Sequence, residues 1–239
     1  MKTTPLYLED SYLKEMTATV LEVFPEGEKR WRLILDKTVF YPMGGGQPTD
    51  QGTLTGGGWT GHVYQVLMKD GEIGHFVESD TAPTIGSTVH GVIDWDRRYK
   101  NMKVHSAGHV VDFAMYVLGY SPKTLSPLKG DHGKKPYIVY AGVTGKDITK
   151  ELQDKSNELV TQALPLETAF VPLADLEKDA IYLQPGLPTN KPLRKLTLAG
   201  VGSVADGGTQ VKNTSEVGEI AISLVKEAEG STTIEYKVS

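Results

Sequence analysis

Near residue 94 the hydrophobic pattern of this chain changes period, and that change limits its architecture more than any other feature. Before it, apolar residues recur in short runs: Met16–Phe24, Trp31–Asp36, His62–Met68, Glu72–Val77 and Ser87–Asp94. Turn signals separate them at Pro25-Glu26-Gly27, Gly56-Gly57-Gly58 and Asp70-Gly71. Closely spaced short strands of this kind suit a small β-barrel. At the change, Asp94 can cap a helix beginning at Trp95; Val104, Val111, Phe113, Met115 and Leu118 supply its apolar positions, and Gly119 stops it. Gly108 weakens its middle. Residues 120–136, rich in Ser, Pro, Gly and Lys, read as a loop. Tyr137–Val143 follows as a strand, 150–164 as a charged helix, and Glu167–Leu173, Leu196–Val201, Gly218–Val225 and Thr232–Val238 as strands. The expected fold class is α+β, with a small amino-terminal β-barrel over 1–94 and an α+β domain over 95–239.

A chain of 239 residues can bury about 70% of its unfolded surface, so a core forms without covalent staples. Its lack of cysteine excludes a disulfide framework, a thiolate-held zinc, an iron–sulfur cluster and a thiol nucleophile. No apolar run approaches the roughly 20 residues of a membrane span, and Met1-Lys2-Thr3-Thr4-Pro5 lacks the apolar region of a signal peptide. The expectation is a soluble cytoplasmic protein without a membrane partner. The net charge of −5 argues against coating nucleic acid indiscriminately, yet residues 94–135 set eight Lys and Arg against four Asp, a local +4. An anionic partner is expected near that segment.

The chemistry-bearing residues fall in three places. His105 and His109 stand four apart on the expected helix, which puts their Cβ atoms about 5–6 Å apart on one face. This is the spacing at which two helical histidines share a metal; a structural pair is the competing reading. Asp112, three residues on, can ligate, orient a histidine or lie in solvent. The run from Tyr41 to Gly52 contains Gly44-Gly45-Gly46, which suits either close backbone approach to a partner or an ordinary hairpin connection. In Asp206-Gly207-Gly208-Thr209-Gln210, adjacent glycines let the chain bend while Asp206 and Gln210 offer oxygens across the bend; a plain β-turn explains the pattern as well. His132 is either a neighbour of the site or exposed, and His62, His75 and His90 read as structural strand residues.

Together and in order, these stretches resemble the alanyl-tRNA editing proteins, free-standing relatives of the editing domain of alanyl-tRNA synthetase. The resemblance rests on Phe40-Tyr41-Pro42 with Gly44-Gly45-Gly46-Gln47-Pro48 and Asp50-Gln51-Gly52, on Asp94-Trp95-Asp96-Arg97-Arg98 leading to His105-Ser106-Ala107-Gly108-His109, and on Asn213-Thr214 with Glu216 and Gly218. It covers nearly the whole chain and implies that the second domain is a tRNA-editing domain. In such proteins zinc is held by the two histidines plus the Cys and His of Cys-Gly-Gly-Thr-His; the matching positions here are Asp206 and Gln210. Exchanging soft donors for hard ones lowers the expected zinc affinity. Asp206 remains a credible ligand and Gln210 a poor one, and a His-His-Asp set with an open fourth position is an acceptable catalytic zinc site.

The implied activity is that of a hydrolase acting in trans, deacylating alanine tRNA mischarged with serine or glycine. A synthetase pocket sized for alanine rejects those two amino acids weakly, which creates the need for a second sieve. The implied catalytic residues are His105, His109 and Thr209, with His105, His109, Asp206 and Gln210 around the metal. In a metal-free route a histidine acts as base and the Gly207-Gly208 backbone stabilises the oxyanion. Contacts to tRNA are expected from Gly45, Gly46, Gln47, Asp50, Arg97, Arg98, Lys100 and Lys103. Two other readings stay open: a metal-free, non-catalytic tRNA-binding homologue, and a metal-dependent hydrolase of an unrelated small ester. No nucleotide-binding motif of a synthetase is found, so no aminoacylation is expected.

Overall fold

The computed structural model describes residues 3–239. Met1 and Lys2, part of the stretch read for a leader, lie outside them. The chain forms two compact units, Met1–Asn101 and Met102–Ser239. The division therefore falls two turns inside the helix expected to begin the second domain, and the first turns of that helix belong with the barrel.

The first unit contains β1 (Thr4–Pro5), β2 (Glu15–Gly27), β3 (Arg30–Leu35), β4 (Lys37–Thr38), β5 (Gly52–Gly56), β6 (Trp59–Lys69), β7 (Glu72–Glu78) and β8 (Thr88–Ile93). Six of these close into an antiparallel barrel in the order β2-β3-β7-β6-β5-β8, and β1 pairs in parallel with β4. The period of two is plain in β8, where Val89, Gly91 and Ile93 are buried and Thr88, His90 and Val92 exposed. Val20, Leu33, Leu35, Leu54, Val63, Val66, Ile73 and Val77 fill the interior from the other strands. Pro25-Glu26-Gly27 is strand rather than turn: a register shift between Pro25 and Gly27 accommodates the proline, and the chain reverses at Lys29, which takes a φ of +55°.

A pair of opposite charges lies fully inside this unit. Arg98 and Asp50 are both 0% exposed. The guanidinium gives Asp50 Oδ2 two hydrogen bonds, one of them from Nε at 2.8 Å, and donates to the carbonyls of Ser11 and Val39. Asp50 Oδ2 also takes the Tyr41 backbone N–H at 2.7 Å. The pair thus ties the first helical turns to the glycine-rich segment. His75 is a further internal polar group: Nδ1 donates to the Leu33 carbonyl at 3.2 Å, and Nε2 accepts from the Thr38 hydroxyl at 2.8 Å. Both nitrogens are satisfied by a neutral ring, and burial lowers its pKa to about 4.

The second unit takes the rest of α1 (Trp95–Val117), then β9 (Ser126–Asp131), β10 (Tyr137–Ala141), α2 (Thr149–Thr161), β11 (Leu166–Val171), α3 (Leu173–Leu176), β12 (Leu193–Leu198), β13 (Gly202–Ala205), β14 (Ile220–Ala228) and β15 (Ser231–Val238). Two antiparallel sheets result, ordered β14-β15-β10-β9 and β11-β12-β13. Strand β9 is where a loop was expected; its Pro127 is tolerated because β9 is an edge strand. The opposite edge, β14, is shielded by α2. Asn157 exchanges two hydrogen bonds with the Ile220 backbone, at 2.7 and 2.9 Å, and Gln153 accepts from Ile222 N at 3.0 Å. Asn213 and Glu216 form a reciprocal capping box on a 3₁₀ turn over Thr214–Glu216, which gives that motif a structural role. Among the described residues no helix is long and apolar enough to cross a membrane.

Two outcomes follow for the barrel. Asp50→Ala strands a buried guanidinium and is expected to cost about 3–5 kcal/mol in urea unfolding; a loss below about 1 kcal/mol would show that solvent reaches Arg98. For His75, the unfolded ring binds a proton near pH 6.5 and the folded ring only near 4. Stability should therefore fall as pH drops from 6.5 to 4, with His75 contributing up to about 3 kcal/mol of that fall. The pH slope should be shallower in His75→Gln, and equal slopes would refute the assignment.

Candidate functional site

Helix α1 is set by its cap: Asp94 Oδ1 accepts the Arg97 N–H at 3.0 Å and its carbonyl accepts that of Arg98. In the second unit Met102, Val110, Val111, Phe113, Ala114 and Met115 of α1 are fully buried. On this buried stretch His105 and His109 stack, with ring centroids 5.0 Å apart. Asp206, in the turn after β13, completes the group, its Oδ1 lying 3.6 Å from His105 Nε2 and 3.5 Å from His109 Nε2. One donor atom from each of the three residues lies within 4.8 Å of the others. Side-chain exposure is 3% at His105, 6% at Asp206 and 13% at His109, so the group is most open at His109.

The turn is built around the carboxylate. Asp206 Oδ1 accepts the Gly208 N–H at 3.0 Å, and Oδ2 accepts from Gln210 Nε2 at 3.0 Å and Arg194 Nη1 at 3.2 Å. Arg194 also donates to the Gly208 carbonyl at 2.7 Å. Gly208 presses its backbone against an imidazole: a Cβ there would stand 2.0 Å from His105 Cε1. From α1, Ser106 donates to Gln210 Oε1 at 2.6 Å and accepts the Val211 N–H at 3.0 Å.

Burial depresses the pKa of His105 well below its ordinary value, with Asp206 opposing. For His109 burial also disfavours the charged ring, but the neighbouring Asp206 outweighs it and raises the pKa. Burial pushes Asp206 upward, yet His105, His109 and Arg194 together hold it well below the usual carboxylate range. The centre therefore pairs a fixed anion with two imidazoles. Both ring nitrogens of His109 are buried without a hydrogen-bond partner. Its Nε2, beside a carboxylate and a second imidazole that each offer one further ligand atom, fits a divalent metal.

Several expected residues stand elsewhere. Gln210 is not placed as a ligand, because its amide oxygen is taken by Ser106 and its nitrogen by Asp206. Thr209 adjoins the group but is 0% exposed, so its hydroxyl is not open to a substrate. The Gly208 N–H is directed to Asp206 and is not free as an oxyanion donor. Asp112 accepts the Tyr140 hydroxyl and lies outside the donor group. In the first unit, Asp50 and Arg98 are sequestered with each other and Gln47 is 1% exposed, which removes all three as surface contacts for tRNA. Gly45 and Gly46 make a tight turn closed by the Gln47 N–H to the Gly44 carbonyl at 2.9 Å. Arg97 is half-buried with Nε on the Thr49 carbonyl, and Lys100 is exposed. Lys103, in the second unit, reaches the Ser239 carbonyl at 3.1 Å.

Arg194 escaped the sequence reading, and His132, read as either a neighbour of the site or exposed, proves to be a neighbour. Arg194 occupies the inward register of β12 together with Leu196 and Leu198, and that alternation was its only signal. His132, just after β9, is buried and stacks on His105 with centroids 4.5 Å apart. The glycines at 130 and 133 around it marked a loop and concealed the packing.

Residues 11–97 match the family model described as tRNA synthetases class II (A). Over 99% of both chains, the sequence is 35% identical to the alanyl-tRNA editing protein AlaX-M of Saccharolobus solfataricus. It is 32% identical to the AlaX-M of Methanosarcina barkeri over 92% of each chain. Against the alanine–tRNA ligase of Halobacterium salinarum the identity is 32% over 92% of this chain, which accounts for 24% of the ligase. With relatives matched from end to end, the chain belongs to the alanyl-tRNA editing protein family.

Proposed function

We propose that this chain is a trans-acting editing deacylase, which hydrolyses the ester between alanine tRNA and a wrongly attached serine or glycine. The observation that carries the reading is the convergence of His105, His109 and Asp206 in a chain matched from end to end by editing proteins. The reaction consumes one water: its oxygen bonds the ester carbonyl carbon, the bond from that carbon to the ribose oxygen breaks, and the ribose oxygen takes a proton.

We further propose that zinc is held by His105, His109 and Asp206, without Gln210. When bound, it supplies the positive charge that polarises an ester carbonyl and acidifies water. The chain's own residues prepare the place. Arg194, Gln210 and the Gly208 N–H lock both carboxylate oxygens, so the charge of Asp206 is fixed beside the imidazoles. Gly208 admits the His105 ring, and His109 is the most exposed of the three side chains.

With Arg98 buried, the proposed phosphate contacts move to exposed lysines of the same segment. Lys123, Lys129, Lys134 and Lys135 are exposed on the second unit and retain the positive charge of the basic segment.

Purified protein with zinc should release serine from seryl-tRNA for alanine well above the spontaneous rate while sparing the alanyl ester. A rate no faster than spontaneous, with tRNA still bound, would establish the non-catalytic homologue; turnover indifferent to the tRNA would establish a general esterase. His105→Ala and Asp206→Ala should each lower kcat/KM by about 100-fold or more and abolish stoichiometric zinc. Gln210→Ala should weaken zinc by about 10- to 100-fold without abolishing it, because it loosens the carboxylate and removes no donor. Replacing Lys129, Lys134 and Lys135 together with Gln should flatten the salt dependence of tRNA binding by about one log–log unit for each phosphate no longer neutralised. An unchanged slope would place the phosphates elsewhere.

A further inference from the structure

We propose that His132 is a substrate-binding residue of the same centre, presenting Nε2 as a hydrogen-bond acceptor to an N–H or O–H of the aminoacyl ester. The inference rests on the editing reading above and adds a residue to it.

The tautomer of His132 follows from its partners. Tyr236 donates its hydroxyl hydrogen to the Val104 carbonyl at 3.0 Å, since a carbonyl can only accept. The 2.6 Å contact between His132 Nδ1 and Tyr236 Oη must then be a donation from the ring to the phenol oxygen. The neutral ring keeps its hydrogen on Nδ1 and its lone pair on Nε2. Nε2 has no hydrogen-bond partner among the described residues, and the residue as a whole is 7% exposed. An acceptor so placed, on a ring stacked against His105 at an interplanar angle of 21°, is available to a ligand of this centre.

Two glycines make room for the ring. A Cβ at Gly108 would lie 2.5 Å from His132 Cε1 and 2.8 Å from Tyr236 Oη, and a Cβ at Gly130 would lie 2.9 Å from His132 Nε2. Gly108 sits inside α1, where glycine is the poorest helix former after proline. Local helix stability is lowered at one of the two positions that make room for this imidazole beside His105.

The groups that can donate to Nε2 are the α-ammonium of the amino acid, the serine hydroxyl and the terminal ribose hydroxyl, all of them N–H or O–H donors. The experiment compares two variants that separate packing from acceptance. His132→Phe keeps a ring to stack on His105 and loses the acceptor; His132→Gln loses the ring and keeps an acceptor oxygen at similar reach. The expected result is a fall of about 10- to 100-fold in kcat/KM for His132→Phe, with zinc content and thermal midpoint retained, and substantial recovery in His132→Gln. A purely structural role gives the reverse order and would overturn the proposal. A loss confined to the seryl ester assigns the donor as the serine hydroxyl, whereas equal loss with the glycyl ester assigns the ammonium or ribose hydroxyl. Nitrogen-15 NMR of the protein alone provides an independent reading: His132 should show hydrogen on Nδ1 in the parent and lose that preference in Tyr236→Phe. Hydrogen on Nε2 in the parent would overturn the proposal whatever the activity. A parent protein that hydrolyses no aminoacyl ester would overturn the editing reading itself and this role with it, even with the expected tautomer in place.

Discussion

The ionised carboxylate of Asp206 is the interaction on which the chemistry of the second unit depends. A buried carboxylate is costly unless each oxygen finds donors or positive charge. Here Oδ2 takes Arg194 and Gln210, and Oδ1 takes the Gly208 N–H while facing both imidazoles. The resemblance puts Cys and His at positions 206 and 210, and the structure shows how Asp and Gln fit there as a couple. A thiolate presents one donor atom, whereas a carboxylate presents two oxygens, and the second needs its own partner. Gln210 supplies a donor to it, and Ser106 holds the amide in that orientation from the helix. The residue at 210 thus complements the carboxylate at 206.

The same constraint explains why the turn and the helix approach so closely. Gly208 lies where any Cβ would collide with His105, and Gly108 where one would collide with His132. Both glycines cost backbone entropy, and both do so where an imidazole has to be packed edge to edge with main chain. The stacked rings of His109, His105 and His132 are the result.

Much of this was legible in the sequence, and the exceptions share a cause. The break in period at Asp94 revealed both the barrel and the helix, because periodicity reports directly which face is buried. The spacing of His105 and His109 revealed their common face. Strand β9 was hidden because Ser-Pro-Leu-Lys-Gly-Asp does not alternate and an edge strand needs fewer apolar contacts. Asp50 and Arg98 read as surface charges since nothing in a sequence signals that two residues 48 positions apart neutralise each other in a core. Gln210 read as a weak ligand because a ligand and the group that steadies a ligand carry the same polar atoms. Arg194 was missed, and His132 left between two places, for the same reason: each meets a partner brought near only by folding.

The basic segment shows how pairing redistributes what a charge count can mean. Of the four cations just ahead of the histidines, Arg98 is bound within the barrel unit, Arg97 is directed to the Thr49 carbonyl and Lys103 to that of Ser239, leaving Lys100 exposed. The charge that stays in solvent on the second unit lies further along, and Lys129, Lys134 and Lys135 flank His132 on β9 and the turn after it. An exposed lysine meets a phosphate as a hydrated point charge and reads no sequence, whereas an oriented imidazole recognises one donor at one distance. A segment carrying both can hold a nucleic-acid backbone by its outer side chains and the end of that chain by its buried one. On the proposed reading, affinity and chemical discrimination are set by neighbouring residues of β9 and the turn after it, with the histidine pair and Asp206 left to act on the ester.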